Sequence, residues 1–217
     1  MTCCTQYCVA EKQFDSKVAE RDLQRYRLRG PDAVTRLMVA ELRRWPLQGE
    51  DLLDVSSGIR VIGAELAGTG LASATLVEAS PAYLDVARAQ SESRYESRPT
   101  RFLLGDFATI ADTLIDADVV TLDRVVCCYP DADALLQGAA SRTRRLLAFS
   151  YPRDRWYMWT LTALQNFWRR LRGSPFRTFA HSPEQMQAVL ETAGLVRVAR
   201  QGTLEWVLDL YRRRENV

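Results

Sequence analysis

One stretch constrains this chain more than any other: Asp51-Leu-Leu-Asp54-Val-Ser56-Ser57-Gly58-Ile-Arg60-Val-Ile-Gly63-Ala-Glu-Leu66. A short apolar run ends in an acidic residue, a turn of small residues follows, and an amphipathic pattern resumes. An open α/β sheet presents a helix N-terminus and bare backbone amides to a nucleotide-like ligand in this way. Glu78 closes the next apolar run, about one βαβ unit downstream, where a carboxylate suits ribose hydroxyls. The turn is poor in glycine, with Ser56, Ser57 and Arg60 around a single Gly58.

Downstream, short apolar runs alternate with amphipathic stretches. Strands are expected at Asp51–Val55, Ser73–Glu78, Arg101–Leu104, Ala117–Leu122 and Arg145–Tyr151. Helices are expected between them at Ile59–Gly68, Pro81–Ser93, Phe107–Leu114 and Ala132–Arg142. The pattern predicts a parallel, doubly wound sheet whose ligands sit at the carboxyl ends of the strands. Two helices precede it, one within residues 11–30 and stopped by Gly30-Pro31, the other running from Val34 to Trp45 and ended by Pro46. The spacing Ser182-Pro183-Glu184-Gln185 predicts a capping box that opens a late helix. Val196–Arg200 and Leu204–Tyr211 are separated by three residues, too few for a parallel crossover, so they form an antiparallel hairpin. The fold class is therefore α/β: a doubly wound, Rossmann-like seven-stranded sheet of five parallel strands plus a C-terminal antiparallel hairpin, with N-terminal helices. Residues 1–46 read as an N-terminal arm and helical cap. Residues 47–217 read as the main domain, interrupted at 154–180 by an aromatic insertion.

With 217 residues, 47% apolar and 26% charged, the chain has material for one large α/β domain. A net charge of +2 points to no nucleic-acid partner. No run reaches the length of a membrane span, and Met1-Thr-Cys-Cys-Thr-Gln lacks the start of a signal peptide, so a cytoplasmic address is expected. Of the five cysteines, Cys3, Cys4 and Cys8 lack a nearby fourth ligand for structural zinc and read as reduced thiols, so no metal is expected. Cys127 and Cys128 read as small hydrophobes at a strand end.

The acidic residue before the small-residue turn, Glu78, and Gly105-Asp106-Phe107 after the third strand together form a pattern. With five parallel strands and a terminal hairpin it resembles the class I S-adenosylmethionine-dependent methyltransferases, over roughly residues 30–213. Leu147-Ala-Phe-Ser-Tyr-Pro-Arg153 and the aromatic insertion look like the magnesium-protoporphyrin methyltransferase branch and its bacterial relatives. The resemblance implies S-adenosyl-L-methionine as cofactor. Asp54, Ser56 and Gly58 would hold its methionine end, Glu78 its ribose, and Asp106 and Phe107 its adenine. Asp123 would lie beside the sulfonium and the acceptor. Asp54 and Asp106 also suit plain helix caps, and Glu78 a solvated strand end. The family pattern places glycines where this chain has Ser56 and Arg60, and Arg60 would either pair with the cofactor carboxylate or fill its space. Serine serves at position 56 provided no left-handed backbone is needed there.

Methyl transfer from a sulfonium is an in-line displacement that needs alignment and water exclusion more than covalent help. The expected reaction is methylation of a small, apolar or aromatic acceptor. Asp123, Tyr129 and His181 are the candidate catalytic residues, and Arg153, Trp156 and Trp159 the candidate acceptor contacts. His181, the single histidine, also suits a bystander role before the helix cap. The insertion suits a lid, a membrane-surface helix carrying Arg169, Arg170 and Arg172, or plain core in a monomer or homodimer. A dinucleotide dehydrogenase fits less well, because Ser56 and Val61 stand at the outer glycine positions of G-x-G-x-x-G. The competing class is a non-catalytic, methyltransferase-like binding protein with a degenerate cofactor loop.

Overall fold

The computed structural model describes residue 9 and residues 13–93 and 98–214; Cys3, Cys4 and Cys8 lie outside these. Seven strands form one sheet in the order β3-β2-β1-β4-β5-β7-β6. They are β1 (Asp51–Val55), β2 (Ser73–Glu78), β3 (Thr100–Leu104), β4 (Ala117–Leu122), β5 (Thr143–Pro152), β6 (Leu195–Gly202) and β7 (Trp206–Arg213). The first five are parallel, and β7 joins β5 and β6 antiparallel. Chain order reverses between β1 and β4, which opens a crevice at their carboxyl ends.

Strand alternation divides the core into two layers. Leu53, Val55, Val120, Leu122, Leu147 and Phe149 face helices α6 (Ala132–Ser141) and α8 (Pro183–Thr192) through Leu135, Leu136, Met186 and Leu190. Leu52, Leu76, Val119, Leu146 and Leu208 face α2 (Ala33–Leu42) and α3 (Val61–Glu65) through Val34, Met38, Leu42 and Ile62. Asp54 shares the parity of Leu52, so a carboxylate is carried into the second layer. A third cluster packs α1 (Ser16–Arg29) against α4 (Pro81–Ser93) around Ala19, Tyr26, Ile59 and Tyr83. The side chain of Asp15 accepts from Val18 N to begin α1, and Gly30, at φ 71°, ends it.

Several expected bounds move for local reasons. The helix expected at Ile59–Gly68 starts at Val61, because Arg60 is left-handed at φ 69° and cannot continue a right-handed turn; a 3₁₀ turn at Ala67–Thr69 follows it. The stretch Phe107–Leu114 divides into α5 (Phe107–Ile110) and a 3₁₀ turn, with Ile110 drawn out to φ −108°. Ser182 caps α8 by accepting from Gln185 N, but the Gln185 amide reaches Asp133 Oδ2 at 2.6 Å, so only half of the capping box forms. The insertion holds a sixteen-residue helix, α7 (Trp156–Leu171). No described helix is long and apolar enough to cross a membrane.

Leu136 is fully buried in the first layer, whereas Leu28 on α1 is 83% exposed. Leu136→Ala should cost about 2–5 kcal/mol in urea unfolding, and Leu28→Ala should stay within about 0.5 kcal/mol of the parent.

Candidate functional site

The crevice holds two adjoining cavities, of about 340 Å³ and about 90 Å³. Seven residues border both, among them Arg25, Ser56, Gly58, Tyr83, Asp123 and Arg124. Glu78 and Asp106 line the larger cavity, and Asp54 and Ser57 the smaller. The ends of β1, β2, β3 and β4 thus each deliver a carboxylate to one place.

The loop after β1 is the most strained part of this wall. Ser56, Gly58 and Arg60 all hold positive φ, at 52°, 53° and 69°. These alternate positions are where the resemblance placed glycines, and the trace keeps the left-handed geometry although two of them carry side chains. The condition for serine at 56 is therefore not met: that backbone is left-handed, at a cost of about 1–2 kcal/mol for each such non-glycine residue. The Arg60 side chain is fully buried and lines neither cavity. Its Cγ lies 3.3 Å from the point a Cβ on Gly63 would occupy, so it packs under α3 rather than crowding the crevice or facing it.

Glu78 closes the loop. Its Oε2 accepts from Gly58 N at 2.8 Å, and its Oε1 from Ala79 N at 2.8 Å and Ser80 N at 3.0 Å. Burial pushes its carboxyl above the usual range, and the three amides pull the other way. Asp54 is more perturbed. Thr121 Oγ1 donates to its Oδ1 at 2.7 Å, while Oδ2 is buried without a hydrogen-bond partner among the described residues. Desolvation raises its pKa to about 7; the Thr121 bond opposes this, the charges of Asp123 and Glu78 add to it, and Arg60 offsets part.

Asp106 caps α5 by accepting from Ala108 N at 3.2 Å and also takes the Tyr129 hydroxyl at 2.8 Å. Tyr129 lines the larger cavity, and burial beside that carboxylate drives its ionisation far upward. Asp123 accepts from Thr35 Oγ1 at 2.5 Å and from Ser150 Oγ at 2.6 Å. Its position is fixed from two sides, by α2 and by β5.

Five of the expected site residues lie away from these cavities. Phe107 is buried in the first core layer, its ring near Gly138 of α6, and so does not face the cavity. As the first residue of α5, it turns its ring beneath the helix. His181 Nε2 lies 3.0 Å from Tyr129 O, and the ring borders a separate depression with Pro130 and Asp131. Arg153 is drawn the other way by the hairpin turn, donating from Nε to Thr203 O at 2.6 Å. Trp156 and Trp159 face outward, 79% and 53% exposed, and Trp159 Nε1 donates to Asp154 Oδ1 at 2.6 Å. The aromatic from that segment which does line the cavity is Phe176, edge-on to Phe14 at 5.5 Å.

The wall also includes residues that sequence reasoning missed. Asp22 and Arg25 come from α1, which is tied down where Tyr83 OH donates to Asp22 Oδ2 at 2.5 Å and Ser80 Oγ to Phe14 O at 2.6 Å. Arg124, left-handed at φ 58°, and Arg25 share the Asp32 carboxylate. Helical periodicity marked α1 without indicating which face meets a ligand. Tyr83, two residues into the helix that follows Glu78, was the most accessible signal.

The Asp54 carboxyl ties stability to pH. It titrates near 7 when folded and near 3.8 as an ordinary aspartate, so the folded chain holds the extra proton between those values. Stability therefore falls as pH rises through that window and levels off above it. Urea unfolding at pH 5 and pH 8 should show this fall. Asp54→Asn should remove about 2–3 kcal/mol of it while keeping an acceptor for Thr121.

No protein-family model and no curated sequence matches the chain. Solved structures do. Magnesium protoporphyrin IX methyltransferase from Synechocystis PCC 6803 with bound SAH superposes with a TM-score of 0.74 at 17% identity, covering 95% of this chain and 99% of that one. Its form with bound SAM gives 0.73 at 17% identity, covering 99% and 100%. An O-methyltransferase family protein from Burkholderia thailandensis gives 0.70 at 15% identity, covering 93% of this chain and 61% of that one. At such identities the likeness is one of architecture, and the chain has the Rossmann-like fold of these methyltransferases.

Proposed function

We propose that the chain is an S-adenosylmethionine-dependent methyltransferase acting on a small, apolar or aromatic acceptor. The observation that carries this reading is the loop at 56–60. It keeps three left-handed positions against the cost at Ser56 and Arg60, with Gly58 N bound to the Glu78 carboxylate. Retained strain of this kind collects where a backbone must approach a ligand.

The cavities fit the cofactor. A volume of about 340 Å³ is within the range of small-molecule sites. The larger cavity is lined by Asp22, Glu78, Asp106 and Asp123 against Arg25 and Arg124, an acidic balance that suits a cationic sulfonium. Asp54 lines the smaller cavity and its buried Oδ2 has no hydrogen-bond partner among the described residues, a lack that an ammonium group would make good. Asp54 would therefore take the methionine amino group, with Ser56 and Gly58 alongside. Arg25 and Arg124, which line both cavities where Arg60 lines neither, would take the carboxylate. Glu78 would receive the ribose hydroxyls, and Asp106 the adenine amino group.

The bound cofactor supplies an electrophilic methyl group. The protein's own residues then position and exclude. Asp123 borders both cavities and is braced by Thr35 and Ser150, so it is the carboxylate suited to orient an acceptor and accept its proton. Tyr129 stays protonated beside Asp106 and acts as a hydrogen-bonding wall rather than a base. Phe14, Tyr83 and Phe176 give the apolar surface that excludes water and favours a flat acceptor. We infer a protein that works without nucleic acid in the cytoplasm, as a monomer or homodimer. The non-catalytic alternative drew on Arg60 filling the cofactor space, and the packing of that side chain under α3 supports the enzyme instead.

Calorimetric titration with S-adenosylhomocysteine tests the reading directly. Micromolar binding is expected, and no binding to the folded protein overturns it. Glu78→Ala should weaken binding by about 1.5–3 kcal/mol, the value of a lost charged hydrogen bond. His181→Ala should leave binding unchanged, since that ring borders a different depression. Affinity should rise from pH 6 to pH 8 as Asp54 ionises through its pKa of about 7. Asp54→Asn should be weaker and indifferent to pH across that range.

A further inference from the structure

Helix α7 is built inside out for a surface helix. A helix on a globular body turns its apolar stripe inward. Here Leu161, Leu164, Phe167, Trp168 and Leu171 are all exposed, while the neighbouring Tyr157 hydroxyl donates to Leu204 O at 2.9 Å. At about 100° per residue they fill one arc of about 120°. The opposite side meets the body through Met158, Thr162, Asn166 and Arg169, the last three only half-buried. Its contacts there are largely polar: Asn166 Nδ2 donates to Thr178 O at 2.7 Å, Thr178 N donates to Asn166 Oδ1 at 3.0 Å, and the Arg169 guanidinium lies 5.2 Å from the Phe176 ring centre. The polar side is thus satisfied against the protein and the apolar side is left facing out. An uncovered apolar patch of this breadth marks an interaction surface.

Charge selects the occupant. Residues 155–183 carry five arginines, Arg155, Arg169, Arg170, Arg172 and Arg177, with no aspartate, glutamate or lysine among them. Arg170 and Arg172 are exposed and flank the apolar arc, one on each side. A second copy packed on this face would bring two like-charged sets together with no carboxylate on the helix to separate them. An anionic lipid surface meets both features at once, since apolar side chains enter the acyl boundary while flanking arginines reach phosphate. Sixteen residues span about 24 Å along the axis, short of the length needed to cross a bilayer.

We propose that α7 docks the protein peripherally on an anionic lipid bilayer, lying in the plane of the interface with Leu164 and Trp168 inserted and Arg170 and Arg172 at the headgroups. Because Arg169 of the same helix sits over Phe176, docking brings one wall of the cavity to within about a helix diameter of the lipid. The docking surface stands whichever reaction the cavity performs.

Co-sedimentation with vesicles of phosphatidylcholine alone, and of phosphatidylcholine mixed with phosphatidylglycerol, tests it. Binding is expected with the mixed vesicles, with tryptophan emission moving to the blue and affinity falling as salt is raised. Leu164→Glu with Trp168→Glu should abolish binding. Arg170→Glu with Arg172→Glu should weaken it by about tenfold or more. All four positions are exposed, and an unchanged thermal midpoint will show that the variants remain folded. The proposal falls if the parent does not sediment with anionic vesicles at low salt, or if the Leu164→Glu, Trp168→Glu variant binds as well as the parent. It falls equally if the parent is a dimer in solution that this variant converts to a monomer, since a second copy then covers the face.

Discussion

The carboxylate of Glu78 takes hydrogens from three peptide groups, and the geometry of the crevice follows from that. Gly58 belongs to the loop after β1, whereas Ala79 and Ser80 begin the turn after β2. One side chain therefore stitches two strand ends together and holds a loop that local sterics oppose. Left-handed backbone at Ser56 and Arg60 costs about 1–2 kcal/mol each. A charged hydrogen bond returns about 1.5–3 kcal/mol, so Glu78 goes far towards offsetting the strain. The cost of burying the charge shows as its raised pKa.

Around this stitch the site is electrostatically one-sided. The charges of Asp123 and Glu78 add to the effect of burial on Asp54, which stays half neutral near pH 7. Structural carboxylates in a core are normally paired or fully hydrogen-bonded. Asp54 is neither, with one oxygen served by Thr121 and the other by no described group. A carboxyl poised in this way is a functional feature before it is a stabilising one. The arginines that balance the acids come from outside the sheet: Arg25 on α1 and Arg124 just past β4, joined through Asp32.

What could be read in advance follows a physical division. The sheet was legible because buried parallel strands must be short, apolar and regularly spaced. Ser73–Glu78 and Ala117–Leu122 fall where the pattern placed them. Asp54, Glu78, Asp106 and Asp123 were legible because strand ends locate themselves. Side-chain direction was not. Phe107 and Asp106 are neighbours, yet one enters the core and the other the cavity, a difference set by the pitch of a single helical turn. His181 and Arg153 were placed near the ligand edge by topology, and each was claimed by a nearby carbonyl. Trp156 and Trp159 were candidate acceptor contacts, but the helix presents them outward and is attached through Asn166 to Thr178 and through the Tyr157 hydroxyl to Leu204. The contribution of α1 was invisible because nothing local tells a helix what it covers.

The strand order carries a consequence for how the site comes into being. Its two halves meet where β1 lies beside β4, and there Asp54 and Thr121 touch across 67 residues of chain. Asp123 and Arg124, from beyond β4, border both cavities alongside residues of the first half. A nascent or partly unfolded chain that has formed β1 to β3 possesses Glu78 and its amides but lacks Asp123, Tyr129 and the strand that orients Asp54. Contacts of such sequence separation form slowly, and a ligand that spans them binds only the assembled state. Ligand capture at this crevice is thereby a report on the completed sheet, with the binding free energy drawn into the cooperativity of the whole fold.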